Sequence, residues 1–338
     1  MNSRDFTSRG QSSQPLSPAR SLPDVDCVIV NRDGGASLFS AIGSVQSQTD
    51  VDLSVVVVDN ASGPEERERL AAEAPNVRIV AFSRNLGFAA AANEGIARTR
   101  APFILLVNND AVLAPDYAAR LAARLALDER LAAVQGLVLE RSGGRVDTAG
   151  LEWNDRGEAV PVLAGADSTA TPRDVFEVTG VSATAALYRR DALTEIAPHG
   201  RVFDDRFFAY YEDVDLSLRL ARAGWRFACE PLAVARHEGS RTGRRTPFRR
   251  AVWTSRNRWR TLFANFAPRL LVENLPALLR ADLAHARQLG VLGAMLPFLV
   301  WPWIPFLAFG RPRDTGLLRR WPSVAAVSTR APAPAAGS

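Results

Sequence analysis

Carboxylates crowd one stretch of this sequence. Asp204-Asp205-Arg206-Phe207-Phe208-Ala209-Tyr210-Tyr211-Glu212-Asp213-Val214-Asp215 sets four aromatic rings between two acidic clusters. Glu212, Asp213 and Asp215 bring like charges together, which raises the pKa of at least one of them, and an aromatic wall raises it further. A carboxylate in that setting suits a general base. The same acids also read as the first turn of a helix over 213–223, where the helix dipole favours them.

Other polar groups gather where apolar runs stop. The runs end in Asn31-Arg32-Asp33-Gly34-Gly35, in Asp59-Asn60-Ala61-Ser62 and in Asn108-Asn109-Asp110. Each is also an ordinary turn composition. Together they outline a polar crevice for a hydrogen-bonding ligand such as a nucleotide. Asp110 follows the apolar run 103–107 and has the character of a ligand for a hard divalent cation, or of a turn residue ahead of Pro115. His237, just past a later apolar run, is either structural or a nitrogen ligand completing that cation site with Asp110. Arg84-Asn85-Leu86-Gly87 precedes an Ala-rich segment, and this grouping either holds phosphate at a helix N-terminus or caps the helix.

The elements needed to position these residues follow from periodicity. Strands are predicted over 25–30, 53–58, 77–81 and 103–107, alternating with helices over 37–48, 64–72, 87–98 and 115–126. That repetition means an open α/β sheet, whose ligands bind beyond the carboxyl ends of the strands. Strands over 134–139 and 183–188 follow, then the helix over 213–223. The residues 216, 218 and 220 are all leucine and make no clean helical stripe. Strands over 226–229 and 232–235 close the domain.

Composition bounds the remaining choices. The chain has 338 residues, 47% hydrophobic and 23% charged, which excludes wholesale disorder. Cys27 and Cys229 sit in apolar runs without Cys-x-x-Cys spacing, which disfavours a disulfide framework or zinc cluster and fits a reducing compartment. No Gly-x-Gly-x-x-Gly follows the first strand and no Walker motif is present, so dinucleotide oxidoreductases and P-loop enzymes lose support. Net charge is +5, and every basic residue other than histidine is arginine. Residues 241–260 are dense in arginine and free of acids, which suggests an anionic partner: nucleic acid, a phosphorylated ligand or acidic lipid. Residues 289–309 are almost wholly apolar but contain Pro297, Pro302 and Pro305, which disfavour a straight span. With Trp301, Trp303 and the arginines beyond, the segment reads as docking on an anionic leaflet, or as a buried helical hairpin. Residues 1–23 read as a disordered leader without a signal peptide, and the tail from 331 as disordered.

In order along the chain, these clusters resemble the inverting family 2 glycosyltransferases of GT-A fold. The carrying residues are Val28-Ile-Val-Asn31, Val58-Asp59-Asn60-Ala61-Ser62, Asn85-Leu-Gly87 with Asn93, Leu105-Leu-Val-Asn108-Asn109-Asp110, Tyr188-Arg189-Arg190, and Phe208-Ala-Tyr-Tyr-Glu212-Asp213-Val-Asp215 running to Arg219, with Gly224 and His237 beyond. The likeness covers about residues 25–240 and is closest to the rhamnosyltransferase-like and galactofuranosyltransferase-like branch. It implies a Rossmann-like open mixed sheet flanked by helices over 24–240. A helical, membrane-associating extension over 241–310 and a basic, then disordered tail over 311–338 complete the expected organisation.

By the same resemblance, Asn31, Asp59, Asn60, Arg84, Asn85, Gly87, Asn93, Asn108 and Asn109 bind the nucleotide-sugar. Asp110 and His237 hold Mg²⁺ or Mn²⁺, Asp213 beside Glu212 is the catalytic base, and Gly180, Tyr210, Tyr211 and Arg219 line the acceptor side. The implied donor is dTDP-rhamnose, with UDP-sugars next. The implied acceptor is polyprenyl-linked or a glycan of the cell envelope, met at the anionic inner face of the cell membrane by a cytoplasmic, peripheral protein. Two positions depart from the pattern: Asn108 replaces the first acid of Asp-x-Asp, and Arg32 replaces an aromatic residue after the first strand. A nucleotidyltransferase is the first alternative, but Gly34-Gly35 is a meagre phosphate loop for one. A basic nucleic-acid-binding protein is the second, opposed by the acidic crevice and the apolar tail; nucleic acid is not an expected partner.

Overall fold

Runs such as 25–30 and 53–58 are apolar at all but one position each, Asp26 and Ser54, which suits strands covered on both faces. The computed structural model describes residues 22–238, 247–288, 300–301 and 317–323. The predicted alternation is present as β1 (Asp24–Asn31), α1 (Ala36–Gln46), β2 (Asp52–Asp59), α2 (Pro64–Glu73), β3 (Arg78–Ala81), α3 (Phe88–Ala97), β4 (Phe103–Asn108), β5 (Ala111–Leu113) and α4 (Tyr117–Leu127). Then come β6 (Leu131–Glu140), β7 (Val146–Thr148), β8 (Leu151–Trp153), β9 (Ala159–Pro161), β10 (Phe176–Val178), β11 (Ala185–Arg189), α5 (Arg190–Ile196), α6 (Glu212–Arg222) and β12 (Arg226–His237). Three helices follow: α7 (Pro247–Asn265), α8 (Pro268–Glu273) and α9 (Leu275–Gln288).

Ten strands form one mixed sheet, with the path β10-β12-β6-β11-β4-β1-β2-β3. Neighbours β3, β2, β1 and β4 are parallel, β11 runs antiparallel to both β4 and β6, and β12 is parallel to β6. Alternate residues of each strand face opposite sides. Val28, Val56 and Leu106 pack with Ala92 and Ile96 of α3 and with Leu216 and Leu220 of α6. Cys27, Ile29, Val57 and Leu105 pack with Leu38, Ile42 and Val45 of α1 and with Leu121 of α4. The result is helices on both faces of an open sheet.

One expectation is corrected. The predicted strands over 226–229 and 232–235 are one strand, β12, carrying a register shift between Glu230 and Val234 where Pro231 interrupts the ladder. Helix α6 lacks a single stripe because it is buried on two sides. Leu216 and Leu220 enter the sheet core, whereas Val214 and Leu218 pack with Trp259, Leu262 and Phe266 of the C-terminal helices. The arginine block is not wholly at the surface. Arg258 is fully buried and donates to Asp282 Oδ1 (3.1 Å), Arg156 O (2.7 Å) and Gly157 O (3.1 Å).

Residues 241–246 of that block, and the apolar segment 289–309 except Val300 and Trp301, lie outside the described residues, as do the leader 1–21 and the tail from 324. Trp301, read above as interfacial, donates its indole N–H to Asp282 Oδ2 and packs with the C-terminal helices. Among the described residues no helix is long and apolar enough to cross a membrane. Cys27 and Cys229 are free and buried.

Candidate active site

The sheet's directions bring the polar clusters to one edge. Asn31 pairs with Asp59 in register, and Val30 with Asn108, so the ends of β1, β2 and β4 lie side by side. The end of β12 reaches the same edge, because Ala111 of β5 pairs with His237. Asp110 thereby stands beside His237, with Oδ1 3.1 Å from Nε2.

Asn31 is fully buried and wholly engaged. Its amide donates to Ser62 Oγ (3.2 Å) and Glu66 Oε1 (2.7 Å), and its oxygen accepts from Asn109 Nδ2 (2.8 Å). Glu66 of α2 also accepts from the N–H groups of Gly34 and Gly35, both at 2.8 Å, and so caps α1, which has no side-chain cap of its own. Asp59 is buried, accepts from Ser62 N and pairs with Arg67 at 3.3 Å. Asn60 closes on the loop before α3, accepting from Leu86 N (2.8 Å) and donating to Gly87 O (3.0 Å). Asn85 Oδ1 accepts from Gly87 N, and Arg84 is exposed beside them.

Asn93 is more deeply committed than the sequence suggests. It is buried, donates to Phe203 O and Asp205 Oδ1 (both 2.8 Å) and accepts from Phe203 N (2.9 Å). It fastens α3 to the loop leading into the acidic stretch. Gly87, with φ of 88°, has room only for hydrogen at its Cα: a Cβ would come 2.4 Å from Phe208 O.

The loop before α6 holds Phe208, Tyr210 and Tyr211 at φ of 65°, 71° and 71°. Bulky side chains rarely adopt this left-handed region, and such strain persists only where the surroundings impose it. The surroundings here include Asn257 of α7, whose buried amide reaches the carbonyls of Phe207, Ala209 and Tyr210 at 2.8–2.9 Å. Phe208 O in turn accepts from Phe88 N at the start of α3.

Glu212 and Asp213 open α6 directly after this strap. Burial, with the Asp213 charge beside it, pushes Glu212 up to about 8. Burial also raises Asp213, against N–H groups that hold its charged form: Ala183 N reaches Oδ2 at 3.2 Å and Val214 N reaches Oδ1 at 2.8 Å. The contact with Ala183 ties the base candidate to the cation candidate, since Thr184 O accepts from Asn108 N at 2.9 Å. Residues 182–184 thus link Asp213 to the strand end bearing Asn108, Asn109 and Asp110. Gly180 lets α6 approach this link, because a Cβ there would come 2.7 Å from Ser217 Cβ. Arg219 is an internal tie, donating to Asp215 Oδ2 (2.8 Å) and Val202 O (2.6 Å). Tyr211 packs with the C-terminal helices, and burial lifts its hydroxyl to about 12. The Tyr210 ring faces the Arg250 guanidinium at 5.5 Å.

Asp147 is a site residue that sequence reading missed. It sits at the irregularity where β7 joins β6 and accepts from His237 Nδ1 at 2.8 Å. Burial opposes charge on the His237 ring, yet Asp110 and Asp147 on either side prevail and push it up to about 9. Although Nε2 lies near Asp110 Oδ1, the two are not aligned as donor and acceptor, and Nε2 is a buried nitrogen without a hydrogen bond. Two ligands of one cation stand this close together, and a bound cation would displace the ring proton from Nε2. A carboxylate behind the far nitrogen is the usual support of a ligating histidine. The donor set therefore fits a divalent cation. Among the described residues no third acid, histidine or cysteine completes a cluster of metal-holding geometry.

Comparison with known proteins finds glycosyltransferases. The model of Glycosyl transferase family 2 matches residues 26–197, and the chain belongs to that family. It is 28% identical over 240 residues to an N-acetylglucosaminyl-diphospho-decaprenol L-rhamnosyltransferase of Mycobacterium tuberculosis, covering 64% of this chain and 77% of the relative. An N-acetylglucosaminyltransferase of Mesorhizobium japonicum is 28% identical over 223 residues, covering 63% and 51%. Among solved structures, GalNAc-T7 with UDP, GalNAc and Mn²⁺ superposes with a TM-score of 0.58 at 16% identity, over 74% of this chain and only 49% of that one. The Pyrobaculum calidifontis mannosyltransferase PcManGT, in complex with GDP-Man and Mn²⁺, superposes at 0.52 with 18% identity, over 87% and 83%. These likenesses show the GT-A fold.

Proposed function

We propose that this glycosyltransferase moves rhamnose from a nucleoside-diphosphate sugar, dTDP-rhamnose first and UDP-sugars next, to a polyprenyl-linked or glycan acceptor of the cell envelope. The observation that carries the reading is the linkage of Asp213, through residues 182–184, to the strand end bearing Asp110. That link supports pairing a half-buried carboxylate of raised pKa with the cation candidate in one site. The named relatives act on N-acetylglucosaminyl-diphospho-decaprenol, which supports the acceptor class. That acceptor also supports work at the inner face of the membrane by a cytoplasmic, peripheral protein.

Asp213 takes the proton of the acceptor hydroxyl. The oxygen attacks the anomeric carbon from the face opposite the nucleoside diphosphate, whose bond to that carbon breaks, and the configuration inverts. Glu212 keeps its proton at neutral pH and leaves the negative charge to Asp213. Asp110 and His237 would hold Mg²⁺ or Mn²⁺, with Asp147 fixing the ring, and the cation supplies positive charge against the departing diphosphate. Asn31, Asp59, Asn109 and Glu66 form one hydrogen-bonded wall at the nucleotide end; Asn60 and Asn93 position loops rather than touch donor. Tyr210 and the strap face the acceptor.

The test is a panel of nucleotide-sugars with Mg²⁺ or Mn²⁺, reading diphosphate release and thermal shift. Asp213→Asn is expected to lower turnover about 100- to 10,000-fold while keeping donor binding. Undiminished turnover in that variant removes Asp213 from the base role.

A further inference from the structure

Arginines near the strap divide into two kinds. Arg206 pairs with Asp204, Arg219 with Asp215 and Arg258 with Asp282. Arg256 and Arg260, one helical turn apart on α7, have no carboxylate partner among the described residues. Both are half-buried. Arg256 reaches only the Oδ1 of its neighbour Asn257, at 3.3 Å for both Nε and one terminal nitrogen. Arg260 lies over the Phe207 ring at 5.9 Å, and its Nε is buried without a hydrogen bond. Burial lowers the pKa of both; Arg260 also feels the positive charges of Arg206 and Arg256, which lower it, and the carboxylates of Asp204 and Asp215, which raise it.

Half-buried like charges cost free energy unless an anion offsets them. Guanidinium forks fit phosphate oxygens bidentately, and Arg256 and Arg260 stand four residues apart on one helix. The same side of the strap is aromatic. Trp253 packs on Phe208 with ring centres 5.0 Å apart, and Arg249 lies 4.9 Å over the Trp253 ring. Guanidinium groups bordered by aromatic rings suit an anionic head on an apolar tail. It also neighbours the segment leading to Asp213, because Asn257, which Arg256 contacts, holds three carbonyls of the strap.

We propose that Arg256 and Arg260 of α7 bind the diphosphate of a lipid-linked acceptor and so register its sugar against the catalytic strap. This deepens the proposed function and rests on its acceptor class. The same chemistry could instead serve the anionic headgroups of a bilayer, and the test separates the two sources.

The full chain would be titrated with farnesyl diphosphate, without divalent cation, by calorimetry. Farnesol and vesicles of phosphatidylglycerol in phosphatidylcholine are the parallel probes, and dTDP and UDP with Mn²⁺ report the donor site. Arg256→Gln and Arg260→Gln are each expected to weaken farnesyl diphosphate binding about tenfold or more, with nucleotide binding and melting temperature unchanged. Arg269→Gln, which removes an exposed charge from α8, is expected to leave it unchanged. Equal farnesyl diphosphate affinity in the wild type and both variants overturns the proposal. So does parallel loss of nucleotide affinity, which would put these arginines in the donor site. Weakened vesicle binding with intact diphosphate binding overturns it in favour of a bilayer contact. Because no turnover is read, failure to transfer any sugar would count against the proposed function without deciding this site.

Discussion

Glu212 and Asp213 are consecutive, yet their surroundings give them opposite parts. Asp213 has backbone N–H groups at both oxygens, whereas Glu212 Oε2 is buried without a partner. The raised pKa of Glu212 has a consequence for stability. Below its ordinary value of 4.5 the folded and unfolded chains both carry the proton. Above it the unfolded chain releases the proton first, while the folded chain keeps it until about 8. Stability contributed by this group is therefore full at low pH and is lost as pH rises across that interval. Thermal melting of Glu212→Gln against wild type over the same interval is expected to show a shallower decline in the variant; an unchanged slope refutes the assignment. Asp147 makes a second prediction. Its hold on His237 Nδ1 leaves Nε2 to face Asp110. Asp147→Ala is expected to weaken Mn²⁺ binding about 10- to 100-fold, read as free Mn²⁺ by electron paramagnetic resonance, with Asp147→Asn recovering part of the loss. Full affinity in the alanine variant removes Asp147 from the site.

At the scale of elements, the strap before α6 is held from two directions: by α3 through Phe88 and Asn93, and by α7 through Asn257. Asn257→Ala strands three strap carbonyls in a left-handed segment and is expected to cost about 2 kcal/mol in urea unfolding. Turnover should fall further than stability explains, because Glu212 and Asp213 follow the strap directly. An activity loss that vanishes once folding is restored by lower temperature would show the clamp to be structural only. Periodicity made the β/α alternation legible from Asp24 to Leu127, because buried parallel strands and amphipathic helices differ in pattern. It could not reveal β7 to β10, whose three-residue strands are too short to show a period. Asp147 lies in one of them, and nothing local marks it, since its partner is 90 residues away. Asn257 was hidden for another reason: the surrounding arginines suggested an anionic partner, while the helix turns that asparagine inward. Asp110 and His237 were readable because strands deliver their terminal residues to one edge, and Asp213 because it stands in a dense run of acids and aromatics.

At the scale of the molecule, the division expected near residue 240 meets a shared core. Val214 and Leu218 of α6 and Trp153 of β8 pack with Trp259, Leu262, Phe266 and Leu278, and the Trp153 ring stacks on Trp321 at 6.0 Å. Asn265 donates to Asp215 Oδ1, and Arg258 reaches the carbonyls of Arg156 and Gly157. The segment carrying the base candidate therefore takes one of its two apolar surfaces from the C-terminal helices. Removing everything after residue 240 would expose Val214, Leu218 and Trp153 together, at a cost of about 1.5–3 kcal/mol for each large apolar side chain returned to water. It would also release the strap from Asn257. A chain ending there is expected to aggregate or to lose fixed tertiary packing, seen as dye binding and a weakened near-ultraviolet signal. The full chain should unfold in one transition, followed alike by tryptophan fluorescence and far-ultraviolet dichroism. The packing of α6 makes the competing outcome informative: a truncated chain that melted cooperatively at the full-length temperature would show that the sheet alone supports the strap, and that the C-terminal helices are an independent attachment.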